Sequence, residues 1–443
     1  MNGVLVDGGA RTEPRRLDGR TRSLLLGGVV AAGLAILIAL QIFASSRGFE
    51  GPLTSLFNDF AGTPKSASVP WAGLALAMVG LTNRQRVLAL SSAVALDVVI
   101  AAIRYLAGGP LTVGNGAVIV LTAIGVYAGA KWQGEQRRSA LMGVGLGALL
   151  IVATKFGDVW LHITILAGPQ VLDQYVQLAD HALGNPSWVM GEVVDALGSV
   201  GYGVLHWVYI ELPVAAIVVA LYQLRKGWPS HHLVRTFLLI GLVGPVFYIL
   251  FPVVGPIFAF GADGNGFQVG DFWPSVVPFD LTPSAMPFDD ATPRNCMPSL
   301  HTAWALAIFL HSRQGPWWLR WGGMFWLLCT LTATLGFGYH YGVDLIAGAV
   351  LTLTLESALR APERGWGWFR LRLVASGAVL IAALLLSYRF LAVEIAEYPA
   401  VSAPLLLGVP ALFAYGYWRT FYRDPSSPRS AHLSLSEDGP SAR

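Results

Sequence analysis

The chain has 443 residues, of which 54% are hydrophobic and 12% charged, with a formal net charge of +3 and a mean hydropathy of +0.57. A soluble domain carries about a quarter charged residues, so this composition excludes an ordinary soluble protein. Basic residues are spread through short segments, which argues against a nucleic-acid partner. The two cysteines, Cys296 and Cys329, fall in a loop and an apolar block and predict no disulfide framework.

Long apolar blocks recur along the chain, beginning at 23–44 and including 237–254 and 371–390. Each is close to the roughly 20 residues that cross a bilayer core, which predicts membrane helices. The first block follows a basic stretch and exceeds the apolar core of about 7 to 15 residues in a secretory signal peptide, so a retained signal anchor is expected. The bias of Lys and Arg toward cytoplasmic loops then predicts about twelve spans with both termini inside.

The predicted fold class is all-α, a polytopic transmembrane helix bundle of the plasma (inner) membrane. Within it, the short block 70–82 is a weak span that a re-entrant segment would also explain. Apolar residues at helical spacing in 169–200 predict either an amphipathic helix along the interface or a helix packed on its neighbours. The patterns divide the chain into a cytoplasmic basic tail (1–22), an N-terminal transmembrane region of unknown role (23–168), an extracytoplasmic amphipathic segment (169–200), a catalytic core (201–360), C-terminal transmembrane helices (361–418) and a disordered cytoplasmic tail (419–443).

Two histidines open apolar helices in the second half of the chain. An acidic stretch rich in Pro and Gly, 255–297, predicts an irregular loop and leads directly into Pro298-Ser299-Leu300-His301. One helical hairpin later, His340-Tyr341-Gly342-Val343-Asp344 opens another helix. Because the first of these helices runs inward and the second outward, His301 and His340 are expected to meet at the same extracytoplasmic face.

The types and spacing of these residues suit phosphoryl transfer. His340 and Asp344 are four residues apart, which places both on one helical face if the helix starts there, and an aspartate so placed fixes the imidazole tautomer. His340 is then the expected nucleophile, forming a phosphohistidine, and His301 the general acid that protonates the leaving oxygen. Arg294, the hydroxyl of Ser299 and free backbone N–H groups at the helix start are the expected phosphate-binding donors.

Simpler explanations exist for each residue taken alone. A single histidine at a helix end is commonly an interfacial polar residue, and a lone His-x-x-x-Asp often arises by chance. Both together on one face favour catalysis. Other polar residues within apolar blocks are candidates for function or for local pairs that hold helices together. They are Asp97 with Arg104, Lys155 with Asp158, His206 with Glu211, and Glu356.

The residues around both histidines resemble the type 2 phosphatidic acid phosphatase superfamily. Pro298-Ser299-Leu300-His301 is similar to its Pro-Ser-Gly-His motif, and His340-x-x-x-Asp344 to the end of its Ser-Arg-x5-His-x3-Asp motif. Leucine before His301 and tyrosine after His340 are closer to the inositol phosphorylceramide synthase branch, which transfers phosphoinositol between lipids. The resemblance covers about 202–360 and implies a six-helix-type catalytic core, with His340 as nucleophile, Asp344 as its partner, His301 as acid, and no metal or cofactor.

The sequence departs from this family at two phosphate-binding positions. The Lys-x6-Arg-Pro motif does not occur, and Thr334 stands where the third motif has its arginine. Tyr248 lies where the synthase branch has an element rich in Tyr and Pro, and it is expected to bind substrate together with Tyr339 and Tyr341 beside His340.

Three functions fit these observations. The favoured one is a phosphotransferase that moves a phosphoryl-polyol head group, similar to inositol phosphate, between lipids. A lipid phosphate phosphatase would share every catalytic residue and use water as the acceptor. A non-catalytic transporter or membrane scaffold is the third, although the sequence lacks the paired Gly/Pro-broken helices typical of transporters. The expected substrate is a phospholipid or a polyprenyl phosphate, and the oligomeric state stays open.

Overall fold

The computed structural model describes residues 19–261 and 276–423, and nearly all of its elements are helices. Two short strands pair with each other, and the described ranges contain no further strand. The predicted basic tail up to residue 18, part of the acidic loop (262–275) and the predicted disordered tail from residue 424 lie outside the described residues.

The N-terminal region consists of six helices: α1 (Gly19–Ser46), α2 (Pro52–Phe60), α3 (Ser68–Met78), α4 (Asn83–Leu106), α5 (Asn115–Lys131) and α6 (Gly134–Ala167). Helix α4 starts where Thr82 and Gln85 cap each other, with Gln85 Oε1 accepting from the N–H of Thr82 at 2.9 Å. Helix α3 is short and mostly buried, because Gly147 of α6 lets the two backbones meet. A Cβ at Gly147 would lie 2.1 Å from Gly73 O. The weak span predicted at 70–82 is therefore a short packed helix.

A segment that does not span the membrane comes next and contains β1 (Gln170–Val171), α7 (Asp173–His181) and α8 (Pro186–Ala196). It is followed by a bent pair of helices, α9 (Gly198–Ile210) and α10 (Leu212–Leu224). Val176, Leu178 and Ala179 of α7 are buried. Of the two alternatives for this part of 169–200, α7 is thus the helix packed on its neighbours. Helices α9 and α10 are bent by 55° relative to each other, and Pro213 lies in the first turn of α10.

The remaining helices of the predicted catalytic core are α11 (Leu233–Leu250), α12 (Pro256–Phe260), α13 (Leu300–Ser312), α14 (Trp317–Gly336) and α15 (Gly342–Leu359), with β2 (Met286–Pro287) pairing antiparallel to β1. Helices α11, α13 and α15 share one buried apolar cluster that includes Ile240, Ala303 and Ala347. Gly348 of α15 is essential to this packing, because a Cβ there would lie 2.3 Å from Ser299 O. The glycine therefore lets the starts of α13 and α15 lie side by side.

Three helices complete the described chain: α16 (Trp368–Phe390), α17 (Ala392–Glu397) and α18 (Pro399–Trp418). A 3-10 turn, Pro362–Arg364, joins α15 to α16. The first five residues of the predicted disordered tail, Arg419–Arg423, continue α18 as a π-helical turn.

Six helices among the described residues are long and apolar enough to cross a membrane, and the bent α9–α10 pair makes seven. Shorter apolar helices such as α3 and α5 account for other blocks in the sequence. The predicted all-α polytopic bundle is confirmed, and the chain is a multi-pass integral membrane protein. Length and composition support six or seven spans among the described residues, against the predicted number of about twelve.

Candidate active site

His340 and Asp344 meet at the start of α15. The Asp344 Oδ2 atom accepts from His340 Nδ1 at 3.0 Å and from the backbone N–H of Tyr341 at 3.0 Å, and both side chains are buried. The pair joins across the helix start, because His340 precedes the first helical residue, Gly342. It does not lie along a helical face as the spacing suggested. Since Nδ1 donates to the carboxylate, a neutral His340 keeps its lone pair on Nε2.

His301 lies in the first turn of α13, which Ser299 caps by accepting from the N–H of Thr302 at 3.2 Å. Its ring stacks on Tyr209 of α9 at 4.0 Å between centroids, and its Nδ1 is 3.1 Å from the Tyr209 hydroxyl. The ring centroids of His301 and His340 are 6.4 Å apart. The two imidazoles from separate helices therefore meet, as the sequence predicted, whereas their chemical roles stay predictions.

Cys296 is a neighbour of this pair that the sequence gave no reason to select. Its Sγ lies 2.6 Å from Asp344 Oδ2, so the thiol is a third donor to the same carboxylate oxygen. Burial, and then the charge of Asp344, raises the pKa of the Cys296 thiol well above its ordinary value. The thiol therefore stays protonated near neutral pH and serves as a donor to Asp344.

Two buried carboxylates of α7 hold the loop that carries His340. Asp173 accepts from the N–H of Val254 at 3.1 Å, from that of Gly255 at 2.9 Å, and from the Tyr341 hydroxyl at 2.8 Å. Asp180 accepts from the N–H of Val343 at 3.0 Å, in the first turn of α15. Burial raises the pKa of Asp173 to about 6 and that of Asp180 to about 8. The sequence did not predict these roles of Asp173 and Asp180, because α7 was predicted from its apolar spacing alone. Acidic residues are ordinary on the exposed face of an amphipathic helix and indicate no particular role there.

Arg294 holds the acidic loop in place. Its guanidinium is fully buried and donates from Nε to Gly168 O at 2.8 Å, from Nη2 to Asp289 O at 2.6 Å, and from Nη1 to Thr292 O. Each guanidinium nitrogen thus bonds a backbone carbonyl. The contacts give Arg294 a structural role and leave its predicted phosphate-binding role without support.

The three tyrosines predicted to bind substrate have different surroundings. The Tyr339 ring centroid is 5.2 Å from that of Tyr209, the tyrosine that stacks on His301. The Tyr341 hydroxyl donates to Asp173, so its position supports loop structure and not substrate binding. Tyr248 is buried in the cluster shared by α11, α13 and α15. Thr334, at the family's arginine position, is buried and donates to Thr330 O.

Comparison with family models gives two matches that divide the chain. Residues 187–356 match the PAP2 superfamily, and this segment contains His301, His340 and Asp344. Residues 187–356 form a PAP2 domain. The match supports the predicted superfamily for this segment, and the domain makes this chain a membrane enzyme of the lipid phosphatase or phosphotransferase kind. The resemblance to the inositol phosphorylceramide synthase branch stays a prediction. Residues 23–163 match a model described as a domain of unknown function, DUF5933. The curated proteins and the solved structures give no match.

Two groups of side chains in the described residues could hold a metal ion by proximity, since the ligand atoms of each group lie within 4.8 Å of one another. They are Cys296, His340 and Asp344 in the candidate active site, and His231, His311 and Glu356 at the other end of the PAP2 domain. In the first group, Cys296 and His340 both donate hydrogen bonds to Asp344, and a metal ion would have to displace the two protons of these bonds. Metal analysis of the purified chain tests the prediction that none is needed.

In the second group, the proton of His311 can be assigned from its neighbours. The N–H of Leu233 can only donate, so the Gln223 atom 2.9 Å away is the amide oxygen. The Gln223 NH2 group then donates to His311 Nδ1 at 2.9 Å, which leaves the proton of a neutral His311 on Nε2. This Nε2 lies 2.8 Å from Glu356 Oε1 and donates to it. Such a protonated nitrogen is not a metal ligand.

Other polar residues within apolar blocks form links different from the pairs that the sequence suggested. Lys155 pairs with Asp59 at 2.5 Å and not with Asp158. Asp97 accepts from the N–H of Gly116 at 2.7 Å and does not pair with Arg104. Both links lie inside the N-terminal region and join its helices, so they support a structural role there.

Proposed function

We propose that this chain is a membrane phosphotransferase that moves a phosphoryl-polyol head group, such as inositol phosphate, from a donor lipid to a hydroxyl group on an acceptor lipid. A phospholipid donates the phosphoryl-polyol group, whereas a polyprenyl phosphate would donate only a phosphoryl group. The reaction takes place at the extracytoplasmic face of the plasma membrane. The observation that carries the proposal is the His340–Asp344 pair, whose Nδ1 bond leaves Nε2 for attack beside a second imidazole, His301.

The proposed reaction has two displacements at phosphorus. His340 Nε2 attacks the phosphorus of the donor, the bond from phosphorus to the lipid oxygen breaks, and protonated His301 gives that oxygen its proton. The acceptor hydroxyl then attacks the phosphohistidine, His301 takes the hydroxyl proton, and the N–P bond breaks. Asp344 stabilises the positive charge that develops on His340 in the first displacement and is lost when the N–P bond breaks in the second. The positive end of the α13 dipole lies beside His301 and favours the anionic group.

Burial and aromatic contacts favour transfer over hydrolysis. His340 is 4% exposed and Asp344 is fully buried, while His301 stacks on Tyr209 with Tyr339 adjacent. A site whose reactive groups are buried beside aromatic rings restricts water and favours a lipid alcohol as the acceptor. Hydrolysis by a lipid phosphate phosphatase remains the alternative, because water would use the same residues.

The decisive experiment supplies the purified full-length chain, in mixed micelles, with phosphatidylinositol labelled with ³²P, with and without a long-chain alcohol acceptor. Transfer predicts labelled phosphoinositol on the alcohol, and hydrolysis predicts labelled inositol phosphate in water. An acid-labile labelled protein adduct, present in the wild type and absent in His340→Ala, supports the phosphohistidine. Absence of both products and of the adduct, repeated with a polyprenyl phosphate donor, would contradict the proposal.

A further inference from the structure

A basic cavity lies at the end of the PAP2 domain opposite the two histidines. It has a volume of about 740 Å³ and lies between the turn after α15 and the end of α18. Because α15 has 18 residues, this end is roughly 27 Å from His340 along the helix axis. No acidic side chain lines the cavity among the described residues. The basic and aromatic side chains of the lining are Arg364, Arg370, Arg419 and Arg423, with Phe369, Tyr415 and Phe421.

The arginines of this cavity differ in the number of hydrogen bonds that they donate within the protein. Arg370 is buried and donates from Nη2 to Arg360 O at 2.6 Å and to Ala361 O at 2.7 Å, which fixes the turn. Arg419 and Arg423 are exposed and donate no hydrogen bond within the described residues, although Arg423 lies over the Trp418 ring at 5.8 Å. Their guanidinium groups are therefore available to an anionic ligand.

The surroundings place this cavity at the surface of a membrane. Trp366, Trp368 and Phe369 are each about two-thirds exposed, at 64%, 65% and 68%, and lie together in the chain where α16 begins. Exposed tryptophans near the ends of membrane helices are typical of head-group depth. Arg419 and Arg423 belong to the π-helical turn. This conformation is rare in proteins as a whole, and where it occurs it is often at a functional site.

We propose that this cavity binds the phosphate of an anionic phospholipid from the leaflet opposite the His301–His340 site. Arg419 and Arg423 contact the phosphate oxygens, and Phe369 and Tyr415 contact the glycerol and the first acyl carbons. Basic pockets between membrane helices bind anionic head groups in this way. The proposal is independent of the reaction at the histidines, since none of these residues touches that site.

The test measures binding of dioctanoyl phosphatidylglycerol, dioctanoyl phosphatidylcholine and inorganic phosphate to the purified full-length chain by native mass spectrometry. Three proteins are compared: the wild type, Arg419→Ala with Arg423→Ala, and Arg137→Ala with Arg138→Ala. The last variant removes the same charge from two exposed arginines of α6, outside the cavity. Lipid bound at the histidine site is common to all three proteins and cancels in the comparison.

The wild type and the α6 variant are expected to bind the anionic lipid at least about fivefold more tightly than the zwitterionic lipid, and the cavity variant to lose this preference. Equal affinity for both lipids in the wild type, or equal loss in both variants, overturns the proposal. Displacement of the lipid by equimolar inorganic phosphate also overturns it, since the ligand would then be free phosphate. Arg423→Gln, which changes one exposed side chain, repeats the test if thermal unfolding shows that the double variant is damaged.

Discussion

The two ends of α15 each carry a buried carboxylate bonded to a histidine, yet the two histidines differ in which ring nitrogens stay free of hydrogen bonds. At the first end, only Nδ1 of His340 is hydrogen-bonded within the described residues, and a second imidazole lies close by. At the other end, Gln223 and Glu356 occupy both nitrogens of His311.

The surroundings of the two carboxylates differ as well. Glu356 also accepts from Arg360 Nε at 3.0 Å, from the Tyr417 hydroxyl at 3.4 Å and from the Thr236 hydroxyl. The buried arginine balances its charge locally, which is typical of a structural ion pair. A histidine–carboxylate pair is therefore weak evidence for catalysis by itself. A second imidazole is present at both ends, since the ring centroids of His231 and His311 are 5.0 Å apart. The arginine bonded to Glu356 is the feature that separates the structural end from the candidate reactive one.

The comparison predicts its largest effect for His340→Ala, with His311→Ala as the matched control. Loss of the nucleophile should lower turnover by about 10⁴-fold or more, because the remaining groups cannot form the covalent intermediate. His311→Ala should lower stability and leave turnover per folded molecule nearly unchanged. Product formation by purified, monodisperse protein measures both. Similar losses in the two variants would remove the distinction between the two ends.

Glu356→Gln should produce the next largest effect, on stability and not on chemistry. The substitution leaves the buried Arg360 without its carboxylate, and breaking a buried pair in this way costs about 3 to 5 kcal/mol. Thermal unfolding in detergent should show a clearly lower midpoint, with unchanged turnover below it. A stable variant without activity would instead make Glu356 part of the mechanism.

Asp180→Asn should change the dependence of stability on pH. Burial raises the folded pKa of Asp180 to about 8, whereas an unfolded aspartate titrates near 3.9. Between these values the folded chain binds more protons, so this group's contribution is complete below about pH 4 and is lost as pH rises through 8. The asparagine variant should show a flatter decline of the unfolding midpoint from pH 5 to 8. The same slope in both proteins would show that Asp180 has an ordinary pKa.

Cys296→Ala should have the smallest effect of this series. It removes one of three donors to Asp344 Oδ2, and one hydrogen bond contributes about 0.5 to 1.5 kcal/mol, so turnover should fall by about two- to tenfold. Cys329→Ala, in α14, is the matched control and should retain full activity. Loss beyond about a hundredfold would indicate a chemical role for the thiol.

The sequence was sufficient for the class of fold and for the meeting of His301 and His340. Both follow from local signals, since apolar blocks mark membrane helices and a helical hairpin returns the chain to the same face. The residues around the two imidazoles could not be predicted in this way. Tyr209 and Cys296 reach the site from α9 and the acidic loop, and no periodic pattern marks them.

The phosphate-binding role predicted for Arg294 depended only on its being a cation near a predicted anion site. The structure supplies three backbone carbonyls as its acceptors, and loop carbonyls leave no pattern in a sequence. The roles of Asp173 and Asp180 could not be predicted for the same reason, since their partners are mostly backbone N–H groups. Contacts between side chains and irregular backbone are fixed by tertiary structure alone.

The bonds of Arg294 make the junction at residue 168 a poor place to divide the chain. Its side chain donates to Gly168 O, and its backbone N–H donates to Thr164 Oγ1 at 3.2 Å, both at the end of α6. A fragment beginning at residue 169 would leave a buried guanidinium short of acceptors and untie the loop that leads to Cys296 and Ser299. The PAP2 domain thus takes part of its anchorage from the end of α6, next to the segment that matches a domain of unknown function.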